Sequence, residues 1–166
     1  DAPTLASPIA DQSATEDNAF SFTFDAGTFA DVDAGDSLSY STSALPSWLN
    51  FDAATRTFSG TPANGDVGTV TITVTATDGT GATASDSFDI VVGNTNDAPT
   101  LASPIADQSA TEDSAFSFTF GAGTFADVDA GDSLSYSTSA LPGWLSFDAA
   151  TRTFSGTPTN ADVGTV

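Results

Sequence analysis

The clearest pattern in the chain is a strict alternation of apolar and polar residues in short stretches. Residues 19–24 read Ala-Phe-Ser-Phe-Thr-Phe, which places three Phe side chains on one face of a strand. Residues 67–77 are rich in Val, Ile and Thr and alternate in the same way. The apolar face of this second stretch consists of Val70, Ile72, Val74 and Ala76. Both stretches predict strands that bury one face.

Five shorter stretches complete the pattern of one structural unit. Strands are predicted over residues 4–9, 38–41, 45–51, 56–62 and 87–92. Polar turns are predicted over residues 12–18, 52–55, 64–66 and 78–81, and Trp48 and Phe51 are expected near the core. No helical period of useful length is present. We therefore predict an all-β fold, a seven-stranded Greek-key β-sandwich of the Ig-like, cadherin-like type.

The chain contains an internal repeat with a period of 96 residues. Residues 97–166 repeat residues 1–70 with six differences. The differing pairs are Asn18/Ser114, Asp25/Gly121, Ser47/Gly143, Asn50/Ser146, Ala63/Thr159 and Gly65/Ala161. This predicts a complete sandwich repeat over residues 1–96 and a second repeat over residues 97–166. The second repeat lacks the counterpart of residues 71–96, its last two strands. Either the sequence is a piece of a longer one, or a neighbouring chain supplies those strands.

The net charge of −20 limits the partners of the chain. Such a surface repels nucleic acid and anionic membranes, and no apolar run is long enough for membrane insertion. Of 22 acidic residues all but Glu16 and Glu112 are Asp, a residue that suits turns and metal loops. A salt-adapted acidic surface is the alternative explanation. Cys is absent, so a disulfide framework and a thiol metal site are excluded.

The acidic residues fall in loops that alternate between the two ends of a sandwich. Glu16, Asp17 and Asp66 are predicted at the end where the chain leaves the repeat, and Asp31, Asp33, Asp36 and Asp78 at the end where it begins. The hinge 94–99, Asn-Thr-Asn-Asp-Ala-Pro, joins the repeats. We expect the hinge residues Asn94, Asn96 and Asp97 to converge with Glu16, Asp17 and Asp66 and with Asp127, Asp129 and Asp132 of the second repeat. Calcium takes 6–8 oxygen ligands, so we predict that one or two Ca²⁺ ions neutralise this cluster.

These stretches resemble known motifs. Thr15-Glu16-Asp17, Asp31-Val32-Asp33, residues 76–79 and the hinge resemble the calcium motifs of cadherin repeats. Residues 45–62 resemble the dystroglycan-type cadherin-like module, also described as a "putative Ig" domain. The resemblance implies an extracellular, calcium-dependent tandem array of the kind found in bacterial surface adhesins. It also implies that Glu16, Asp31, Asp33, Asp78, Asn96 and Asp97 are ligands.

The predicted function is a calcium-stiffened structural or adhesive repeat of a larger extracellular or cell-surface protein, whose partners are neighbouring repeats of that protein. A carbohydrate-binding or enzyme-accessory module is an alternative that requires exposed aromatic residues. A filament subunit or homo-oligomer, completed by strand exchange with a neighbour, is another. Because His, Cys and Lys are absent, the common nucleophile–base pairs are missing and no enzyme activity is expected.

Overall fold

The chain forms two compact units, Asp1–Asn96 and Asp97–Val166, called unit 1 and unit 2 below. The structure is a computed structural model, and it describes residues 1–33 and 37–164. The division falls at the repeat boundary of the sequence. The described part of the chain contains no helix that is long and apolar enough to cross a membrane.

Unit 1 consists of short strands followed by one long hairpin. Its strands are β1 (Thr4–Leu5), β2 (Gln12–Thr15), β3 (Phe20–Thr23), β4 (Phe29–Ala30), β5 (Ser39–Thr42), β6 (Leu49–Asp52), β7 (Thr57–Gly60), β8 (Gly68–Thr77) and β9 (Thr83–Gly93). A 3-10 helix, Asn64–Asp66, precedes β8. The hairpin β8–β9 holds the centre of the larger sheet.

Two sheets enclose the core of unit 1. The larger sheet has the order β2-β9-β8-β5 and the smaller has the order β3-β7-β6, while β1 pairs with β4. The inner faces meet at Phe58 and Phe88, which are 0% and 2% exposed and whose ring centroids lie 5.5 Å apart. Alternate residues of β8 are buried, as the sequence pattern requires. The predicted Ig-like β-sandwich is confirmed.

The predicted core position of Trp48 is also correct. Its side chain is 9% exposed and packs edge-on against Phe20, with ring centroids 6.0 Å apart. Phe51 stacks on Phe24 at 6.1 Å and lies 4.6 Å from Phe58. Large aromatic side chains contribute much of the buried apolar area in small cores. These contacts join side chains in or next to β3, β6 and β7 and fill the inner face of the smaller sheet.

The first two strands differ from the prediction. The strand expected over residues 4–9 ends at Leu5, and Pro8, which has no N–H, lies beyond its end. The polar turn expected over residues 12–18 begins as strand β2, which pairs in parallel with β9. Backbone hydrogen bonds to β9 do not depend on apolar side chains, so a polar segment joins the sheet. The short strand β4, which pairs with β1, was not expected either, so β2 and β4 raise the number of strands from the expected seven to nine in the described part of unit 1.

Unit 2 has a smaller set of strands. They are β10 (Thr100–Leu101), β11 (Phe116–Thr119), β12 (Phe125–Ala126), β13 (Leu145–Asp148) and β14 (Thr153–Gly156). The sheet β11-β14-β13 matches the smaller sheet of unit 1. Residues 108–111 and 135–138, the counterparts of β2 and β5, form no strand. In unit 1 those two strands pair with β9 and with residues 74–77 of β8. The printed sequence holds no second copy of these partner residues.

Candidate metal centre

Glu16 is the central acidic residue at the C-terminal end of unit 1. It directly follows β2, and its backbone N–H donates to Gly93 O at 3.1 Å. Its side chain is 0% exposed, although glutamate is rarely buried without a partner. The Oε1 atom accepts a hydrogen bond from the Thr95 N–H at 2.5 Å, while the buried Oε2 atom accepts none. Glu16 therefore holds the linker with one oxygen, while its second oxygen is buried without a donor.

The other predicted ligands at this end have different surroundings. Asp17 is exposed, and its φ of 58° places it in the left-handed region. Asp66 closes the 3-10 helix, because its Oδ2 atom accepts the Ala63 N–H at 2.9 Å. Asn94 and Asn96 are exposed. The backbone joins the two loops, since the Asp17 N–H donates to Pro62 O at 2.8 Å.

Asp31 and Asp33 follow β4 at the N-terminal end of unit 1. The Asp31 Oδ1 atom accepts the Asp33 N–H at 2.9 Å, and its Oδ2 atom is buried and accepts no hydrogen bond. The Asp33 Oδ2 atom contacts the amino group of Asp1. This contact raises the pKa of that amino group, because the carboxylate stabilises its protonated form. The predicted ligand Asp36 lies outside the described residues.

Asp78 occupies the turn between β8 and β9 and is 6% exposed. Its Oδ1 atom accepts hydrogen bonds from Thr80 N at 2.8 Å, Thr80 Oγ1 at 2.9 Å and Ala82 N at 2.8 Å. Burial raises the pKa of the Asp78 carboxyl, but these hydrogen bonds outweigh burial and hold the pKa below its ordinary value of 3.8. The Oδ2 atom is buried and accepts no hydrogen bond. Asp78 is thus a buried carboxylate in its charged form.

Unit 2 brings three of the predicted ligands together at its N-terminal end. One carboxylate oxygen from each of Asp127, Asp129 and Asp132 lies within 4.8 Å of the other two. Asp129 is 6% exposed, and its Oδ2 atom accepts the Asp97 N–H at 2.7 Å. Its Oδ1 atom is buried and accepts no hydrogen bond. Asp129 therefore combines a contact to the linker with an oxygen that a cation could bind.

Buried carboxylate oxygens without a donor are the common feature of these loops. Within residues 1–33 and 37–164, five buried side-chain polar atoms have no hydrogen-bond partner. Four are carboxylate oxygens of predicted ligands, namely those of Glu16, Asp31, Asp78 and Asp129. A buried charged oxygen is costly unless a donor or a cation neutralises it. The donor set consists of hard oxygen atoms, which fits Ca²⁺.

The sequence did not identify the two backbone groups that complete these contacts. The amides of Thr95 and Asp97 bind carboxylates from loops that are far away in sequence. A backbone N–H carries no signature in the residue type, so no sequence pattern marks it. The acidic partners were found because buried Glu and Asp belong to recognisable loop motifs.

Residues 2–93 and 98–166 match the family model described as "Putative Ig domain". The chain belongs to this family. The two matched segments correspond to the two copies of the repeat, so each copy is one Putative Ig domain. The expected resemblance to a dystroglycan-type, cadherin-like Ig module is thereby confirmed.

The Putative Ig repeats also have relatives among adhesins. A "Serine-rich adhesin for platelets" of Staphylococcus aureus strain MRSA252 is 37% identical over 123 residues, which cover 74% of this chain and 8% of the adhesin. The same adhesin of strain USA300 is 37% identical over 5% of its length. The chain therefore spans less than a tenth of these relatives. An adhesin acts outside the cell, and the predicted extracellular or cell-surface location is confirmed.

Solved structures support the fold of the Putative Ig repeats. The EC1-3 fragment of protocadherin gamma C5 has a TM-score of 0.57 at 15% identity, covering 98% of this chain and 59% of that fragment. An endo-fucoidan hydrolase of glycoside hydrolase family 107 has a TM-score of 0.51 at 27% identity, covering 98% of this chain and 25% of the hydrolase. The protocadherin likeness shows the cadherin-like fold alone.

Proposed function

We propose that the chain is a pair of calcium-stiffened structural repeats of a larger extracellular adhesive protein. Membership of the family and the adhesin relatives support the adhesive role. The acidic loops support the calcium dependence. In this proposal the repeats position a distant binding region, and neighbouring repeats of the same protein are their direct partners.

Asp129 carries the calcium proposal. One of its oxygens holds the backbone of linker residue Asp97, and the other is buried and has no donor. One oxygen of Asp129 also lies within 4.8 Å of carboxylate oxygens of Asp127 and Asp132. Carboxylates this close repel one another, and the repulsion is least screened at Asp129, the buried member of the three. A divalent cation reverses this repulsion into attraction. The linker contact would then be stabilised by the same event.

Glu16 gives the same coupling to the other half of the linker. Its Oε1 atom holds the Thr95 N–H, and its buried Oε2 atom has no donor. Thr95 and Asp97 are two residues apart, and each is tied to a buried carboxylate of its own unit. A cation on Glu16 or Asp129 would fix the backbone on one side of Asn96. The ions would therefore restrict the linker as well as neutralise charge.

Calcium fits these residues better than other common metals. Zinc and copper sites use Cys or His, both absent from this sequence. Calcium accepts carboxylate, amide and backbone oxygens in irregular arrangements of 6–8 ligands. We propose Glu16, Asp127, Asp129 and Asp132 as the principal ligands, with Asp31, Asp33, Asp36 and Asp78 serving the N-terminal end of unit 1. Asp17, Asp66, Asn94, Asn96 and Asp97 are secondary candidates.

A second function, an accessory module of a polysaccharide-active enzyme, is favoured by one observation. The similar segment of the endo-fucoidan hydrolase makes up 25% of that enzyme. A sugar platform needs exposed aromatic rings, but Trp48 is 9% exposed and packs on Phe20. The accessory role would therefore be that of a spacer. The absence of Cys, His and Lys from the sequence supports a non-catalytic role for the repeats themselves.

Strand exchange between two copies of this sequence does not increase the number of completed sandwiches. Each chain carries one long hairpin, β8–β9, and two units that could accept it. Donating the hairpin to unit 2 of a neighbour completes one unit and opens unit 1 of the donor. Within these 166 residues the number of units without a hairpin is unchanged, so apolar burial among them supplies no net driving force for exchange.

Thermal unfolding with and without calcium tests the proposal. We expect calcium to raise the melting temperature, a chelator to reverse the rise, and magnesium to give a smaller one. At about 100 times the dissociation constant, a single ion stabilises the state it binds by about 2.7 kcal/mol. Identical melting curves in calcium and chelator would contradict calcium binding.

Stiffening requires a separate measurement. Ala54 and Ala150 are exposed at equivalent turns of the two units, and the sequence contains no Cys. Spin labels on Ala54→Cys and Ala150→Cys report the distance between the turns by pulsed electron resonance. We expect calcium to narrow the distribution of that distance. If calcium binds but the width of the distance distribution does not change, the stiffening proposal is contradicted. The repeats would then be an acidic spacer that binds calcium without becoming stiffer.

A further inference from the structure

Asn64 and Gly65 lie in the short turn before β8, away from the core of unit 1. Together with Asp66 they make up a 3-10 helix in which no residue is buried. The turn is closed by the bonds Asp66 N to Ala63 O at 2.8 Å and Val67 N to Asn64 O at 3.4 Å. The Asp66 Oδ2 atom also accepts the Ala63 N–H at 2.9 Å. Because no side chain of this short segment is buried, its local opening disturbs no part of the core.

Gly65 is not required by the fold. A Cβ atom built on Gly65 meets no atom within 4 Å. The backbone of Gly65 does not lie in the left-handed region that favours glycine. The second repeat places Ala161 at the equivalent position and forms the same 3-10 helix, Asn160–Asp162. The chemical difference between these two turns therefore has no structural cause.

The difference matters for the chemistry of the preceding asparagine. The backbone nitrogen of the following residue can attack the side-chain Cγ atom of Asn, forming a five-membered succinimide ring and releasing ammonia. A glycine at that position offers no Cβ to hinder the attack and adopts the required backbone angles easily. Ala161 places a methyl group beside the equivalent nitrogen.

We propose that Asn64 is a site of spontaneous deamidation, and that its counterpart Asn160 reacts much more slowly. The bond between Gly65 N and Asn64 Cγ forms, the bond from Cγ to the amide nitrogen breaks, and the proton of Gly65 N leaves with ammonia. Water then opens the ring at either carbonyl. One product is an aspartate with the normal backbone, and the other is an isoaspartate, in which the chain runs through the side-chain carbon.

The reaction changes the C-terminal end of unit 1. It adds one carboxylate two residues before Asp66, in a segment that the Asp17 N–H joins to the Glu16 turn through Pro62 O. The isoaspartate product lengthens the backbone by one atom within the 3-10 helix. It therefore breaks the closing bond from Val67 N to Asn64 O. Unit 2 keeps its charge and its turn.

Peptide mass mapping of the intact 166-residue protein, aged at neutral pH and moderate temperature, tests this proposal. We expect the peptide with residues 64–65 to gain one mass unit several times faster than the peptide with residues 160–161. An enzyme that methylates isoaspartate should label the first peptide. Equal rates at the two sites in the folded protein would overturn the proposal.

Two reciprocal variants isolate the role of the glycine. Gly65→Ala should stop the reaction at Asn64 and leave the melting temperature unchanged, because nothing occupies the space of its Cβ. Ala161→Gly should start the reaction at Asn160. Asp66→Ala removes the bond to Ala63 N and should speed the reaction at Asn64, since the turn opens more often. Continued reaction in Gly65→Ala at the original rate would also overturn the proposal.

Discussion

The Oδ2 atom of Asp129 accepts a hydrogen bond from the backbone N–H of Asp97 at 2.7 Å, and the Oδ1 atom of the same carboxylate is buried without a donor. Burying a carboxylate costs free energy when one of its two oxygens has neither a hydrogen-bond donor nor a cation beside it. A cation bound to the Oδ1 atom would therefore act on the backbone at the start of unit 2 through the same carboxylate. The first prediction follows from this carboxylate.

Asp129→Asn should remove most of the calcium-induced rise in the melting temperature. The amide can still accept the Asp97 N–H, but it lacks the charge that a calcium ligand supplies. Isothermal titration and melting curves in calcium and chelator measure the effect. The matched control is Asp113→Asn, an exposed residue with φ of 58°, a conformation that Asn tolerates. A calcium response in Asp129→Asn equal to that of the control would refute the role of Asp129.

Glu16→Gln should weaken calcium binding, whereas Glu112→Gln should not. Glu16 is 0% exposed and bound to Thr95 N, while Glu112, its counterpart in unit 2, is exposed. The glutamine side chain would bury an NH₂ group in place of the oxygen without a donor. We expect the loss to appear in calcium titrations and in faster hydrogen exchange of the Thr95 amide. Equal effects of the two substitutions would contradict a special role for the buried residue.

Gly60→Ala should destabilise unit 1, because the new Cβ would lie 1.9 Å from the backbone oxygen of Trp48. Neither backbone can move without disturbing the pairing of β6 with β7. Overpacking of this kind costs about 1–3 kcal/mol, and occasionally more. Gly65→Ala is the control, with an expected change within about 0.5 kcal/mol. Chemical denaturation of both variants measures the difference, and an unaffected Gly60→Ala protein would show that the two backbones separate easily.

The stability of the hairpin turn before β7 should depend on pH through Asp52. Hydrogen bonds from the Thr55 hydroxyl and from the Ala54 and Thr55 amides lower the pKa of the Asp52 carboxyl from its ordinary value of 3.8. Because the folded-state pKa lies below the unfolded one, this stabilisation is complete above pH 3.8 and is lost as the pH falls through the folded pKa. Thr55→Val removes the largest cause and should move the Asp52 titration upward. Carbon-detected NMR titration checks this; an unchanged titration would exclude the hydroxyl as the cause.

The sequence was sufficient to predict the core because burial follows local alternation. Ile72 and Val74 are 0% exposed, and both lie in residues 67–77, where the period of two is visible without a structure. The sequence could not predict β2, because that strand depends on pairing with β9, more than seventy residues away. Pairing between distant backbones leaves no local signal in a polar segment.

The acidic loops were predictable as a group but not residue by residue. Composition and spacing indicated which loops carry carboxylates, and Glu16 and Asp129 lie in them. The identity of Asp66 did not reveal that its Oδ2 atom closes a 3-10 helix through Ala63 N. An acidic residue before a strand can cap a turn or bind a metal. The residue type alone does not show which of its oxygens a backbone amide occupies.

The last prediction concerns the dependence of two polar strands on the long hairpin. A protein that continues after Val166 with a second copy of residues 71–96 should form strands over residues 108–111 and 135–138. In unit 1 the corresponding strands, β2 and β5, have β9 and β8 as their partners. Each fully buried Val, Ile or Phe contributed by the added hairpin supplies roughly 1.5–3 kcal/mol.

Hydrogen exchange of the amides in residues 108–111 and 135–138 measures this directly, and Glu112 should become buried like Glu16. The control carries the same added segment with Ser at the counterparts of Ile72 and Val74, which are 0% exposed in unit 1. The control hairpin can still form hydrogen bonds but cannot fill the core. Protection in the first protein and its absence in the control would show that apolar burial by the hairpin recruits the polar strands. Fast hydrogen exchange of these amides in both proteins would contradict the prediction. It would mean that the added hairpin is not sufficient for the two strands to form.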